Sequence, residues 1–414
     1  MRDKADREIA PRRGRVVQDV ISYGLIAVAV VLAWQIILQP LSQRAPVETA
    51  IRLAPGSPLV LRRAAESELA AGRVDNAAAL SREALSRSPF DVRALRVFGL
   101  TEARAGREDE ADDILTLAGN WSLRDDPAHA WLVERRLRGG DYVSAFAHAD
   151  TLVRRRQDIQ PEVFQLFTVA GVQDPQRSLP VIAGLLTAKP PWRTAYLSSL
   201  NQTPQELQLA ASLAVLLESG REPLTRPELE RLYRTLLGQR QLQALATVRE
   251  RVKRPPPGVA VTNGGFADDE APEPFQWRLF QKAGIVAEIV ADDLRPANPA
   301  LRVDYDGYAT GRVAEQLTSL RPGKYRFTAE TRTETGDPTD RLAWTLSCAT
   351  GGQAFAILPA GTPDAASNAW TALEGRFEVP AGCPAQWLRL QTRAADRRSP
   401  TVIWFDRVSI SSSD

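Results

Sequence analysis

The chain has 414 residues, 44% of them hydrophobic and 25% charged, which is enough for two or three ordinary globular domains and excludes a disordered or collagen-like polypeptide. A formal net charge of +2 gives no overall electrostatic drive towards nucleic acid, so none is expected as a partner. Cys348, Cys383, His129 and His148 are the whole thiol and imidazole inventory, and they cannot be spaced as a zinc site.

Residues 20–38 read VISYGLIAVAVVLAWQIIL without a charge. As a helix at roughly 1.5 Å per residue they extend about 28 Å, near the thickness of a bilayer core. A transmembrane helix is therefore expected over residues 20–41, with Tyr23 and Trp34 as interfacial anchors. The stretch is longer than a signal-peptide core, and Gln39-Pro40-Leu41-Ser42-Gln43 offers no small-x-small cleavage site. Arg2, Lys4, Arg7, Arg12, Arg13 and Arg15 precede it, whereas only Arg44 and Arg52 closely follow. The positive-inside bias makes residues 1–19 a basic cytoplasmic tail. Scarce lysine beside abundant arginine and alanine reads as bacterial coding sequence. The expected localisation is thus a bacterial inner membrane, crossed once and itself a partner, with the bulk of the chain in the periplasm.

Residues 50–252 carry helical patterning. Gly72, Gly106 and Gly140 recur at intervals of 34, as do Ala77, Ala111 and Ala145, and Leu69, Ala103 and Leu137. Each glycine follows one amphipathic run and precedes another, which predicts helix, tight turn, helix, with a small residue after the turn for close approach. Past Gln160 the period blurs, but helices are still expected over 161–170, 175–188, 204–219 and 227–251. Pro175, Pro204 and Pro227 sit at first-turn positions, and Thr225 with Glu228 forms a capping box. The period of 34 resembles the tetratricopeptide repeat (TPR). Ala65 and Gly99 match that family's small residue and Val133 does not, Pro89 matches its terminal proline, and Leu61 and Leu95 replace its common Trp. The resemblance implies a solenoid presenting a surface to a protein partner.

Residues 253–258, Lys-Arg-Pro-Pro-Pro-Gly, end the helical pattern as a stiff extended linker. Residues 259–414 then change to short alternating segments between Gly, Pro, Asn and Asp clusters. Strands are expected at 301–305, 325–331, 342–347, 354–358, 373–379, 387–392 and 402–410, an all-β sandwich. Asn263-Gly264-Gly265-Phe266, Pro274 to Trp277, Leu320 to Tyr325 and a closing Trp404-Phe405-Asp406-Arg407 resemble the jelly-roll carbohydrate-binding modules related to galactose-binding-like domains. The resemblance implies a possible structural calcium at Asp406, although Arg407 stands where a second acidic residue is common; no other cofactor is expected. The fold class expected for the whole is therefore multidomain: a transmembrane helix, an all-α TPR-like solenoid and an all-β jelly-roll sandwich.

Alternation places Leu388 and Leu390 on one face of their strand and Trp387, Arg389 and Gln391 on the other. An aromatic plate beside Arg and Gln suits stacking on a pyranose and hydrogen bonding to its hydroxyls, so these three are the candidate carbohydrate-binding residues. Trp344 shares a face with Leu342, Leu346 and Cys348 and is expected in the core. Cys348 and Cys383 end neighbouring strand-like segments outside the membrane, where a disulfide is expected. No P-loop, Gly-x-Ser-x-Gly elbow or His-Glu-x-x-His occurs, and no catalytic residue is assigned. Asp304, Asp306 and Glu315 are available acids for glycoside chemistry. The expected function is a non-enzymatic, membrane-anchored periplasmic scaffold for exopolysaccharide or envelope-glycan assembly and export. The alternatives are an assembly factor whose sandwich has no glycan ligand, and an unrecognised glycan-processing enzyme.

Overall fold

The structure, a computed structural model, describes residues 21–33, 44–252, 259–267, 271–361, 368–393 and 398–413. It divides into two compact units, Met1–Arg156 and Gln157–Asp414.

In the first unit, α1 (residues 21–33) is helical and exposed along its length. The expected transmembrane span is not borne out: among the described residues no helix is long and apolar enough to cross a membrane. The basic tail, residues 1–19, lies outside the described residues, as do residues 20 and 34–41 of the expected span. The single-pass architecture, the inner membrane as partner and the periplasmic localisation lose their support with that span.

The repeats form as their periodicity predicts. After α2 (Val47–Leu53) come three helical hairpins: α3 (Pro58–Ala70) with α4 (Val74–Arg87), α5 (Val92–Arg104) with α6 (Glu108–Trp121), and α7 (Asp126–Arg138) with α8 (Tyr142–Val153). Gly72, Gly106 and Gly140 turn each hairpin at φ of 78°, 80° and 70°, the left-handed region that glycine enters without a Cβ clash. Ala77, Ala111 and Ala145 are fully buried behind those turns. Asp91, Asp125 and Asp141 cap α5, α7 and α8 by accepting backbone N–H groups. Successive hairpins are stitched by a repeating ion pair: Arg62 donates to Asp91 at 3.2 Å and Arg96 to Asp125 at 3.3 Å. Asp91 and Asp125 thus each serve their own helix N-terminus and the preceding repeat.

The second unit begins with α9 (Gln160–Gln173), α10 (Pro175–Thr187), α11 (Arg193–Ser199), α12 (Pro204–Glu218), α13 (Arg226–Gly238) and α14 (Leu242–Arg251). The capping box of Thr225 and Glu228 is present. Glu228 also pairs with Arg193 through two 3.0 Å bonds, and Arg193 donates to the carbonyls of Leu186, Glu222 and Pro223. That buried pair ties α11 to α13. The single helix expected over 227–251 is broken, because Arg240 turns the chain at φ 55°.

The β-sandwich follows, with β1 (Arg278–Leu279), β2 (Ile285–Asp292), β3 (Arg295–Tyr305), β4 (Arg312–Thr318), β5 (Gly323–Thr335), β6 (Leu342–Cys348), β7 (Ala354–Pro359), β8 (Thr371–Val379), β9 (Gln386–Thr392) and β10 (Thr401–Ser412). The first sheet runs β1-β4-β9-β6-β7 and the second β2-β3-β10-β5-β8. The pairings are antiparallel. Leu388, Leu390, Trp344, Phe327 and Phe405 fill the space between the sheets, and Trp344 meets Phe405 edge to face with centroids 5.5 Å apart. Trp277 closes one end, donating its indole N–H to the Asn263 carbonyl at 3.0 Å. Cys348 and Cys383 are bonded, with Cα atoms 5.5 Å apart, linking the end of β6 to the turn before β9.

The expected linker, residues 253–258, lies outside the described residues. On either side of it, α13 and α14 pack directly on the sandwich. Phe275 sits against Tyr233 at 5.0 Å and beneath the Arg249 guanidinium at 5.1 Å. Arg249 also donates to the Val259 carbonyl at 3.0 Å.

Candidate functional site

Cross-strand register assembles the outer face of the first sheet row by row. Residues directly opposite on paired strands point to the same side, so Arg278, Glu315, Arg389, Thr345 and Ile357 form one row across all five strands. Leu317, Trp387 and Ser347 form the row towards one end, and Arg312, Gln391 and Ala343 the row towards the other. Trp387, Arg389 and Gln391 are half-buried on this face, while Leu388 and Leu390 are fully buried behind it. All three sequence-predicted residues therefore lie together on the side away from the core.

The register shift between Arg312 and Ala314 supplies what alternation could not reveal. A β-bulge there turns Val313 and Ala314 both into the core, which brings Arg312 and Glu315 to the outer face although they are three residues apart. Glu315 is nearly inaccessible and accepts from Arg312 at 2.9 and 3.1 Å and from Arg389 Nε at 2.9 Å. Arg389 donates also to Ser347 Oγ at 3.2 Å, and its guanidinium lies 5.2 Å from the Trp387 ring centroid. The carboxylate thus fixes both the arginine and, through it, one side of the tryptophan. Beside them Phe280 is flanked by two guanidinium groups, Arg312 at 4.4 Å and Arg278 at 5.1 Å. The result is a surface with two aromatic rings, Trp387 and Phe280, and a set of oriented N–H donors between them. Such a surface can stack on the apolar face of a sugar ring and donate to its oxygens.

The outer face of the second sheet is built differently. Trp404 and Trp370 are there, but Arg332 lies 4.8 Å from one ring and 5.9 Å from the other, and its side chain is 0% exposed. Arg332 donates to Asp292 and Asp293 at 2.7 and 2.8 Å. The indoles donate to carboxylates, Trp370 to Asp292 and Trp404 to Glu334, each at 2.9 Å. Trp404 is only 5% exposed. Trp404 is thus closed to a ligand, and the half-buried Trp370 has Arg295 4.7 Å from its ring centroid as well as Arg332.

Asp406 lies at the edge of that cluster, fully buried. Its carboxylate accepts from Asn298 at 2.6 Å and from the Arg407 backbone N–H at 2.7 Å, with Arg295 at 3.6 Å. Donors, one of them cationic, surround it, and among the described residues no three His, Cys, Asp or Glu gather as a metal group. This donor set does not fit the oxygen cage a calcium requires. The three acids available for glycoside chemistry are not brought together either. Glu315 is on the first sheet, Asp304 pairs with Arg302 on the second, and Asp306 accepts the backbone N–H groups of Tyr308 and Ala309 at 2.9 Å.

No protein-family model matches the chain, and no curated protein matches it. Solved structures do. A structure entitled "CBM4 structure and function" is 14% identical over 37% of this chain and 100% of that one, with a TM-score of 0.28. TmCBM61 in complex with β-1,4-galactotriose is 15% identical over 37% of this chain and 94% of that one, at 0.25. A tetratricopeptide repeat protein from Parabacteroides merdae ATCC 43184 is 12% identical over 50% of this chain and 83% of that one, at 0.27.

Proposed function

We propose that the sandwich is a carbohydrate-binding domain and that the outer face of its first sheet is the binding surface. The observation that carries this reading is the contrast between the two sheets. Trp387 stands half-buried among donors held in place by Glu315, whereas Trp404 is covered and the half-buried Trp370 has its indole N–H bound to Asp292 and Arg295 and Arg332 against its ring. The reading is one of binding without catalysis: the five strands of the first sheet contain one carboxylate, Glu315, and both its oxygens are engaged by arginines. Glycoside hydrolysis ordinarily needs a pair. The helical repeats complete the reading as a scaffold for a protein partner, with the exposed Phe90 and Trp121, 5.7 Å apart, as an apolar contact point on the first unit. Together these suit a protein that holds a polysaccharide during its assembly or export.

The test is affinity electrophoresis of the full chain through gels containing soluble polysaccharides. Retention by at least one polymer is expected, and Trp387→Ala should abolish it, since one stacked aromatic is worth about 1–3 kcal/mol, roughly five- to hundredfold in affinity. An unchanged melting temperature would show that the variant still folds. Retention that survives the substitution, or no retention in any gel, would overturn the reading.

A further inference from the structure

We propose, resting on that reading, that the polysaccharide taken by the first sheet is acidic, with carboxylate-bearing sugar residues bound by Arg278 and Arg312 beside Trp387. The two sheets differ in charge as well as in cover. The strands of the first sheet carry Arg278, Arg312 and Arg389 against the single carboxylate of Glu315. Those of the second mix both signs, with carboxylates at least as numerous as cations; Arg295 pairs there with Glu330, Arg302 with Glu288, Arg332 with Asp292 and Arg407 with Glu330, while Arg326 and Arg376 lie opposite one another on β5 and β8. A net positive charge is therefore carried by the strands of the first sheet, which also hold the half-buried Trp387.

Within that face the donors are not all consumed. Among the described residues Glu315 is the one carboxylate paired with any of the three arginines. Arg278 is exposed and stacks on Phe280, with no acidic partner among the described residues. The Arg312 side chain is 47% exposed and engages Glu315 through Nη1, and no other carboxylate pairs with it among the described residues. A guanidinium held flat against an aromatic ring keeps its in-plane N–H groups free, and that fork matches a carboxylate in bidentate geometry. Arg278 and Arg389 flank Glu315 from the strands on either side of it. Neighbouring strands lie roughly 4.8 Å apart, so their backbones are about 10 Å apart, the scale of a disaccharide unit. A neutral glycan would leave the Arg278 and Arg312 charges uncompensated. A uronate-containing one would neutralise them.

The experiment compares the full chain on polygalacturonate, alginate and hyaluronan, each beside its carboxyl-reduced counterpart, by affinity electrophoresis at low and high salt. The expected result is preference for at least one acidic polymer over its reduced form. The preference should weaken with salt as the Debye length shrinks from about 10 Å at 0.1 M to 3 Å at 1 M. It should fall about tenfold in R278Q/R312Q, and by a smaller factor in R278Q alone, which leaves the contacts of Glu315 intact. Equal or better retention by the reduced polymers, or a preference that R278Q/R312Q leaves unchanged, would overturn the acidic assignment while the sugar-binding reading stood. Retention by no polymer, acidic or reduced, would overturn both.

Discussion

His129 and His148 face one another through their Nδ1 atoms at 3.0 Å, and His129 Nε2 lies 3.3 Å from the Ser122 carbonyl. A carbonyl only accepts, so Nε2 of His129 carries its proton, its Nδ1 accepts, and His148 donates. Burial holds both imidazoles below their ordinary range, His148 at about 4, where the charge of His129 and of Arg136 adds to the effect. The unfolded chain binds these protons near pH 6.5 and the folded chain only at lower pH, His148 at about 4. The pair's contribution to stability is therefore full above pH 6.5 and is lost as the pH falls towards 4. Thermal unfolding of His148→Leu should show a shallower loss between pH 7 and 4.5 than the unsubstituted chain; parallel profiles would refute this. Arg332 and Asp292 make a different case, since both side chains are 0% exposed. Arg332→Met strands a buried carboxylate and should cost about 3–5 kcal/mol in urea unfolding, whereas Arg302→Met, at the partly exposed Glu288 pair, should cost about 1 kcal/mol or less.

Arg240 shows how an element boundary can escape a sequence reading. At Gly72, Gly106 and Gly140 the left-handed turn residue is glycine, and those hairpins were legible from their spacing. Between α13 and α14 the same conformation falls on arginine, so the pattern over 227–251 reads as one helix. A left-handed non-glycine residue costs about 1–2 kcal/mol. Arg240→Gly should therefore raise stability by about 1 kcal/mol, less whatever the more flexible unfolded chain returns, as measured by denaturant midpoint. The strands divide likewise. All seven expected strands are present, each longer than its apolar core suggested, β3 (Arg295–Tyr305) and β5 (Gly323–Thr335) most of all. Three were missed: β1 is two residues long, β2 runs IVAEIVAD without clean alternation, and β4 carries the bulge. In β4 the polar Gln316 is fully buried, exchanging hydrogen bonds with both backbone groups of Thr262 at 2.8 and 2.9 Å, which makes a buried strand look like a loop. This is why half the candidate face was legible and half was not. Trp387, Arg389 and Gln391 sit on a strand of perfect alternation. Arg278 and Phe280 sit on and just after a two-residue strand, Arg312 and Glu315 on a bulged one, and the adjacent small apolar pair Val313 and Ala314 was the one signal for the bulge.

At the scale of the molecule, the break in sequence character near residue 253 is not a break in packing. Helices α9 to α14 belong to the same compact unit as the sandwich, and Phe275 is buried between Tyr233 and Arg249 at their junction. These helices and the sandwich should unfold in a single calorimetric transition. Phe275→Ala, at a cost of about 3–5 kcal/mol, should divide that transition in two; two transitions in the unsubstituted chain would show the junction to be weak. The account as a whole rests on which face of the sandwich meets sugar. Hydroxyl-radical footprinting of the full chain, with and without a retained polysaccharide, reads this directly. Protection is predicted at Trp387 and Phe280, with no change at the exposed Phe90 or Tyr308. Protection confined to other surfaces, with Trp387 as reactive in the complex as in the free protein, would contradict it.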